Sequence, residues 1–303
     1  MGAGADDGSG GSPDSALPDA AVPPDAARQM DAPPFDAPPS LPDSSIDAAP
    51  GGGAAHLLLS EIVVAPTAAE MIEIYNPTAQ PIDLSNYYLS DRDDYYMVVT
   101  GTLPAVASDF AVRFPAGATI APGQYQTVAL HGATMFQTTY GVAPSYEVGS
   151  DSAAVPDMRA ATTGSIGAAL TLTDGGEPVI FFQWDQTSDL VKDVDYVFFG
   201  AASGGNALVD KTGITADGPD PGTTASAYLA DTAAAQQSSI GTHGANGSLH
   251  RCRFDEGTER ASGGNGILGQ DATSEPLATT WKVNPSTAAQ RTPNAGPPAG
   301  FCP

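Results

Sequence analysis

Glu61 and Glu73 stand in neighbouring apolar runs and come closest, by type and spacing, to a general acid–base pair. Such chemistry needs one carboxyl held protonated and another ionised across a reacting bond. The sequence positions no third residue to serve them, and their plainer reading is as strand residues with structural hydrogen bonds. Hard-cation binding is a second option. Asp91-Arg92-Asp93-Asp94 gathers Asp91, Asp93 and Asp94 in one loop, and oxygen ligands of this kind hold calcium. An EF-hand needs Gly at the sixth loop position, where this chain has Tyr96. Asp217-Gly218-Pro219-Asp220 is a second acidic loop. A solvated turn is the plainer reading of both.

Gly264-Asn265-Gly266-Ile267-Leu268-Gly269 matches the dinucleotide fingerprint G-x-G-x-x-G. That fingerprint works only between a strand and a helix of a βαβ unit, and neither is predicted here, so the run reads as a loop. The four histidines, His56, His131, His243 and His250, fall at no finger-like spacing, and neither H-E-x-x-H nor G-x-S-x-G occurs. No cofactor is expected, with calcium as the single ion the acidic loops leave open. Cys252 and Cys302, the only cysteines, read as a disulfide. The bridge would close a loop of about 51 residues, worth roughly 4 kcal/mol through the entropy of the unfolded chain.

The elements that must carry these residues are short strands. Residues 57–64 form an apolar run with a β-branched end, broken at Ser60-Glu61. Residues 71–76 alternate, with Ile72 and Ile74 inward and Glu73 and Tyr75 outward. Ile82 and Leu84 resume the alternation. Further strands are predicted at 95–100, 109–114 and 124–130, with a turn at Ala121-Pro122-Gly123. A short helix is predicted at 134–140, where Phe136 and Tyr140 share a face. Residues 143–166 read as an irregular excursion. A hairpin is expected from 168–173 to 177–184 across Asp174-Gly175-Gly176. Strands follow at 191–199, 248–254 and 278–283, the last anchored by Trp281. Long loops are predicted over 200–247, and residues 255–275 are polar and Gly-rich.

Composition limits the partners. Formal net charge is −24 with 11 Lys and Arg, so a phosphate backbone or an anionic membrane would be repelled. No nucleic-acid partner is expected. The 34 glycines and 27 prolines, about a fifth of the chain, suit loops and short strands. No run of about 18 apolar residues exists to span a bilayer. Residues 1–55 hold nine Asp, ten Pro and a single basic residue, Arg28. They read as a disordered, extended stalk or linker with a reach on the order of 150 Å as polyproline II. Gly51-Gly52-Gly53 would act as a swivel before the first strand. The start Met1-Gly2-Ala3-Gly4-Ala5-Asp6-Asp7 reads as a mature N-terminus, with a signal and a lipid-modified cysteine expected upstream of Gly2.

Leu59-Ser60-Glu61, then Ile72-Glu73-Ile74-Tyr75-Asn76-Pro77, then Ile82-Asp83-Leu84-Ser85-Asn86-Tyr87-Tyr88-Leu89-Ser90-Asp91 resembles the lamin tail domain. So does the run 114–125 around Pro122-Gly123. The segment Glu256-Gly257-Thr258 to Ile267, with Thr292-Pro293-Asn294, is similar to the closing part of secreted bacterial members. Asn86 and Tyr87 depart from the usual Gly and Trp. The resemblance implies an all-β fold, an immunoglobulin-like β-sandwich over residues 56–303, with insertions near 131–167 and 200–247. It implies a non-enzymatic binding or scaffolding module, extracellular or on a bacterial outer surface, whose partner is a protein or a glycan. A purely structural envelope protein and an accessory domain of a hydrolase are the alternatives.

Overall fold

The computed structural model describes residues 54–104, 106–202, 207–284 and 291–303. Residues 1–53, on which the stalk and swivel readings rest, lie outside the described residues. The elements run β1 (Leu58–Val63), β2 (Met71–Tyr75), β3 (Ile82–Asp83), β4 (Tyr87–Ser90), β5 (Ala111–Arg113), β6 (Thr119–Ile120), β7 (Tyr125–Ala129) and α1 (Ala133–Tyr140). They continue with β8 (Tyr146–Glu147), β9 (Arg159–Ala160), β10 (Gly176–Gln183), β11 (Lys192–Gly200), β12 (Thr215–Ala216), β13 (Ser226–Ala227), β14 (Ser248–Arg251), α2 (Leu277–Thr280) and β15 (Trp281–Asn284). One sheet has the order β15-β14-β1-β2-β7-β8, the other β11-β10-β4-β5-β9. Pairing is antiparallel except between β7 and β8. One apolar cluster takes Leu59, Ile72 and Leu249 from the first sheet and Leu89, Val112 and Phe181 from the second. This is the expected immunoglobulin-like sandwich, two sheets closed over one interior. Burying each of its large aliphatic side chains contributes about 1.5–3 kcal/mol.

β1 explains how the acidic pair is placed. Leu57 and Leu59 point into the core, and so do Ile62 and Val64. The parity changes between them, which a regular strand forbids. A bulge between Leu59 and Glu61 supplies the extra residue. Ser60 and Glu61 are thereby put on the outer face beside Glu73, which pairs with Glu61 in register.

That outer face does not meet water, which corrects the reading of Glu73 as solvent-facing. Val63, Met71 and Ala129 are covered by Phe136 of α1, against which Tyr140 packs as expected at 4.5 Å between ring centroids. The C-terminal segment 291–303 lies over Glu61 and Glu73. Its end is tied by the Cys252–Cys302 disulfide, with Cα atoms 5.3 Å apart.

Two predicted strands are not strands. Tyr95–Thr100 is a 3-10 helix ending at Gly101, whose φ of 75° closes the turn onto the Val98 carbonyl. Tyr95, Val98 and Val99 are buried, an i, i+3, i+4 set that the β-branched run obscured. Residues 168–173 stay irregular. Leu170 takes φ 48°, which breaks a ladder, and the Leu172 N–H is satisfied by the Glu70 carboxylate. β10 therefore pairs with β11 and β4 instead of returning along 168–173. The predicted last strand starts as a helix, α2, before β15. The stretch 143–166 adds β8 and β9 to the edges of both sheets.

Candidate functional site

Glu61 and Glu73 form a sealed centre. Both side chains are fully buried. Glu61 Oε2 accepts the Thr292 N–H at 3.0 Å, and Glu73 Oε2 accepts the Ala295 N–H at 3.1 Å. Ser60 Oγ donates to Glu73 Oε1 at 2.8 Å. His250 Nε2 stands 3.3 Å from Glu61 Oε1 and 2.9 Å from Ser248 Oγ. A Ser–His–acid triad needs the serine on one ring nitrogen and the acid on the other. Here both approach Nε2, so the histidine cannot relay a proton from the serine toward the acid. The centre ties the C-terminal segment 291–303, an outer strap, to the sheet.

Burial pushes the Glu61 carboxyl up to about 8, against the hydrogen bonds from Thr292 and Ser248 and the charge of Arg291. Glu73 is raised well above the usual carboxylate range by burial and then by Glu61. Unfolded, both ionise near 4.5. Between there and about 8 the native state binds more protons than the unfolded chain, so stability falls as pH rises. Burial gives Glu177 and Glu275 the same direction. His56 is also raised, and it too loses stabilisation as pH climbs. Asp185, held low, titrates below this window. The melting temperature is expected to be higher at pH 5 than at pH 8, with a shallower decline in Glu61→Gln. Thermal melts across that range check this; a melting temperature that climbs with pH is the contrary result.

Two buried cations organise the rest. Arg251, on β14, is fully buried. Its guanidinium donates from Nε to the Leu59 carbonyl at 2.7 Å, from Nη1 to Glu275 Oε1 at 2.6 Å and from Nη2 to Asp195 Oδ2 at 2.6 Å. It also lies 5.0 Å from the Trp281 ring centroid. Lys211 Nζ meets Asp193 Oδ2 at 2.9 Å, Asp231 Oδ2 at 3.0 Å and the Tyr95 hydroxyl at 3.0 Å. Tyr95 itself donates to Asp193. Lys211 thus pins the 207–231 loops onto β11. Neither cation was singled out in the sequence.

A further polar centre is open. His56, Glu256, Glu259 and Gln270 line a cavity of about 200 Å³, with Asp255 and Leu268 at its margin. His56 Nε2 lies 3.3 Å from Glu256 Oε2. Burial disfavours the charged imidazole, but the Glu256 carboxylate outweighs it and raises His56. Glu259 is pushed up to about 10 by burial and by the charges of Glu256, Glu275 and Asp195.

The predicted calcium ligands separate. Asp91 is buried and accepts the Phe110 N–H at 2.7 Å. Asp94 takes the Arg92 fork at 2.7 and 2.8 Å. Asp93 is half-buried and raised by desolvation. Asp217 and Asp220 do meet Asp189, with one oxygen of each within 4.8 Å of the others. Asp189 is spent on the Gly218 N–H and the Ser226 hydroxyl. The Gly264–Gly269 run is a loop, as read, closed by the Gly264 N–H on the Gly269 carbonyl. Beside it, residues 188–192, Asp220, Ser226, Leu229 and Asn265 border a groove of about 460 Å³.

A two-sheet sandwich with a bulged first strand and an outer strap is the class this architecture defines. Residues 51–197 match the Lamin Tail Domain family. No curated protein matches the chain. Among solved structures, a DUF4876 family protein from Bacteroides thetaiotaomicron is 17% identical, with a TM-score of 0.45. That match covers 80% of this chain and 75% of the other. Among the described residues, no helix is long and apolar enough to cross a membrane.

Proposed function

We propose that this chain is a non-catalytic binding or scaffolding module of the cell exterior, carried on its acidic, proline-rich N-terminal segment. The observation that carries this reading is the groove between the β10–β11 turn and the loops 220–229 and 264–266. Recognition sits on loops held by a rigid scaffold, and here the scaffold is the β10–β11 hairpin. The groove offers Asp220 as a polar contact and Leu229, 52% exposed, as an apolar one. Hydroxyl-rich glycans and extended peptides both suit such a lining. The disulfide accords with an oxidising compartment.

Glycan and protein arrays probed with the full chain test the proposal. A ligand bound at micromolar concentration, and weakened about tenfold by Leu229→Ala or Asp220→Ala, is the expected result. Blank arrays would favour a spacing role in the envelope instead.

A further inference from the structure

The Lys211 ammonium is shut away from water against two carboxyl groups. Its side chain is 0% exposed, and those of Asp193 and Asp231 are 3% and 0% exposed. Nζ lies 2.9 Å from Asp193 Oδ2, 3.0 Å from Asp231 Oδ2 and 3.0 Å from the Tyr95 hydroxyl. The Tyr95 hydroxyl donates in turn to Asp193 Oδ1. The rings of Tyr95 and Tyr228 flank the nitrogen at 5.4 and 6.0 Å. An ion pair at such depth gives up several kcal/mol of hydration per charge. A neutral amide carries no such penalty.

The surroundings hold the reacting groups in place. Asp193 sits on β11, its backbone bonded to Asn265 and Ile267. The Lys211 N–H donates to Asp231 Oδ2 at 2.7 Å, and Asn265 Nδ2 donates to Asp231 Oδ1 at 2.8 Å. Against burial, Asp193 and Asp231 raise Lys211, so the starting species is the ammonium. Burial raises Asp231, which favours its taking a proton. We propose that Lys211 Nζ and the Asp193 side chain condense to an intramolecular amide, with Asp231 as the proton carrier. Nζ passes one proton to Asp193 Oδ2 across their hydrogen bond, leaving an amine beside a neutral carboxyl. The nitrogen lone pair bonds to Cγ, and the carbonyl π pair moves to Oδ1, where the Tyr95 hydroxyl stabilises it. Asp231 takes a second proton from nitrogen and returns it to the Oδ2 hydroxyl. The Cγ–Oδ2 bond breaks, the carbonyl reforms and one water leaves. The third hydrogen stays on the amide nitrogen, and no co-reactant is consumed. Groups held this close gain the high effective concentration of an intramolecular reaction. The bond fastens the 207–231 loops to β11 by a link that reductant does not open.

Intact mass spectrometry of the full chain, unfolded and reduced, tests this together with a tryptic map. The wild-type chain is expected one water lighter than its sequence, with the Lys211–Thr212 bond uncut by trypsin. The second readout separates the link from succinimides at Asp174-Gly175 and Asp217-Gly218, which also lose water but leave Lys211 free. Fragment ions should join Lys211 to Asp193. Lys211→Met and Asp193→Ala are expected at full sequence mass. Asp231→Asn, shown to be folded by circular dichroism, is expected to lose the link. A wild-type chain at full mass and cut after Lys211 overturns the proposal and leaves a salt bridge only. So does a link to Asp231, or an Asp231→Asn chain linked as fully as the wild type.

Discussion

Arg251→Met is expected to lower the unfolding free energy by about 3–5 kcal/mol, the usual loss when one partner of a buried ion cluster is removed. Methionine matches the volume of the stem but none of the donors. Asp195 and Glu275 would then face each other without a cation, and the Leu59 carbonyl beside the β1 bulge would lose its donor. The Trp281 ring would lose the guanidinium against it. Arg251→Lys is expected to recover little, since one ammonium cannot reach three acceptors in a planar fork. The deficit should depend on pH. Even beside Arg251, burial holds Asp195 at about 6 and Glu275 at about 8. Without the arginine both would keep their protons further still, so the loss should be smaller at pH 5 than at pH 8. Combining Arg251→Met with Asp195→Asn and Glu275→Gln should return part of it at pH 8. Urea denaturation midpoints at constant slope measure all of this. A loss below about 1 kcal/mol at pH 8 would mean that the cluster is not holding the sheets together.

The strands were legible where burial on one or two faces left a plain pattern. Ile72 and Ile74 alternate against Glu73 and Tyr75, and β2 sits there. What alternation could not tell is whether the opposite face meets water. Glu73 turns away from the sandwich interior as read, but a third layer, the 291–303 strap, converts that face into a second interior. The covering segment is more than 200 residues away, and nothing in 71–76 encodes it. The bulge was signalled by the break at Ser60-Glu61, because only an extra residue lets Leu59 and Ile62 share a face. Arg251 also left a signal. It stands two residues after Leu249 on one strand, so period two sends it inward with that leucine. An inward arginine contradicts apolar patterning and is easily passed over, although a chain with 11 basic residues gives each one weight. Lys211 left none, because its loop has no period. At the acidic run 91–94, where a solvated turn is the plainer reading, adjacency in sequence is not convergence in space. Asp91 is drawn inward by a backbone N–H, while Asp94 is claimed by Arg92.

Removing the Cys252–Cys302 bridge is expected to cost about 4 kcal/mol, the chain-entropy value for a loop of this size. For a unit of this length that corresponds to a fall of roughly 8–15 °C in melting temperature. The two cysteines are 50 residues apart, and the loop they close contains α2, β15 and the strap. The bridge is not alone in holding the strap. Lys282 Nζ donates to the Phe301 carbonyl at 2.5 Å, the His250 ring lies 5.0 Å from that of Phe301, and Asn294 is bonded to Thr127. None of these contacts runs through the sulfurs, so the strap should stay docked in the reduced native state and the loss should fall on the unfolded chain. That distinction is measurable. In the Cys252→Ala/Cys302→Ala variant the melting temperature should fall while its dependence on pH between 5 and 8 is kept, because Glu61 and Glu73 remain covered. If the pH dependence disappears with the bridge, the disulfide is what seals the acidic pair. An unchanged melting temperature after complete reduction, verified by alkylation of both thiols, would remove the stabilising role altogether.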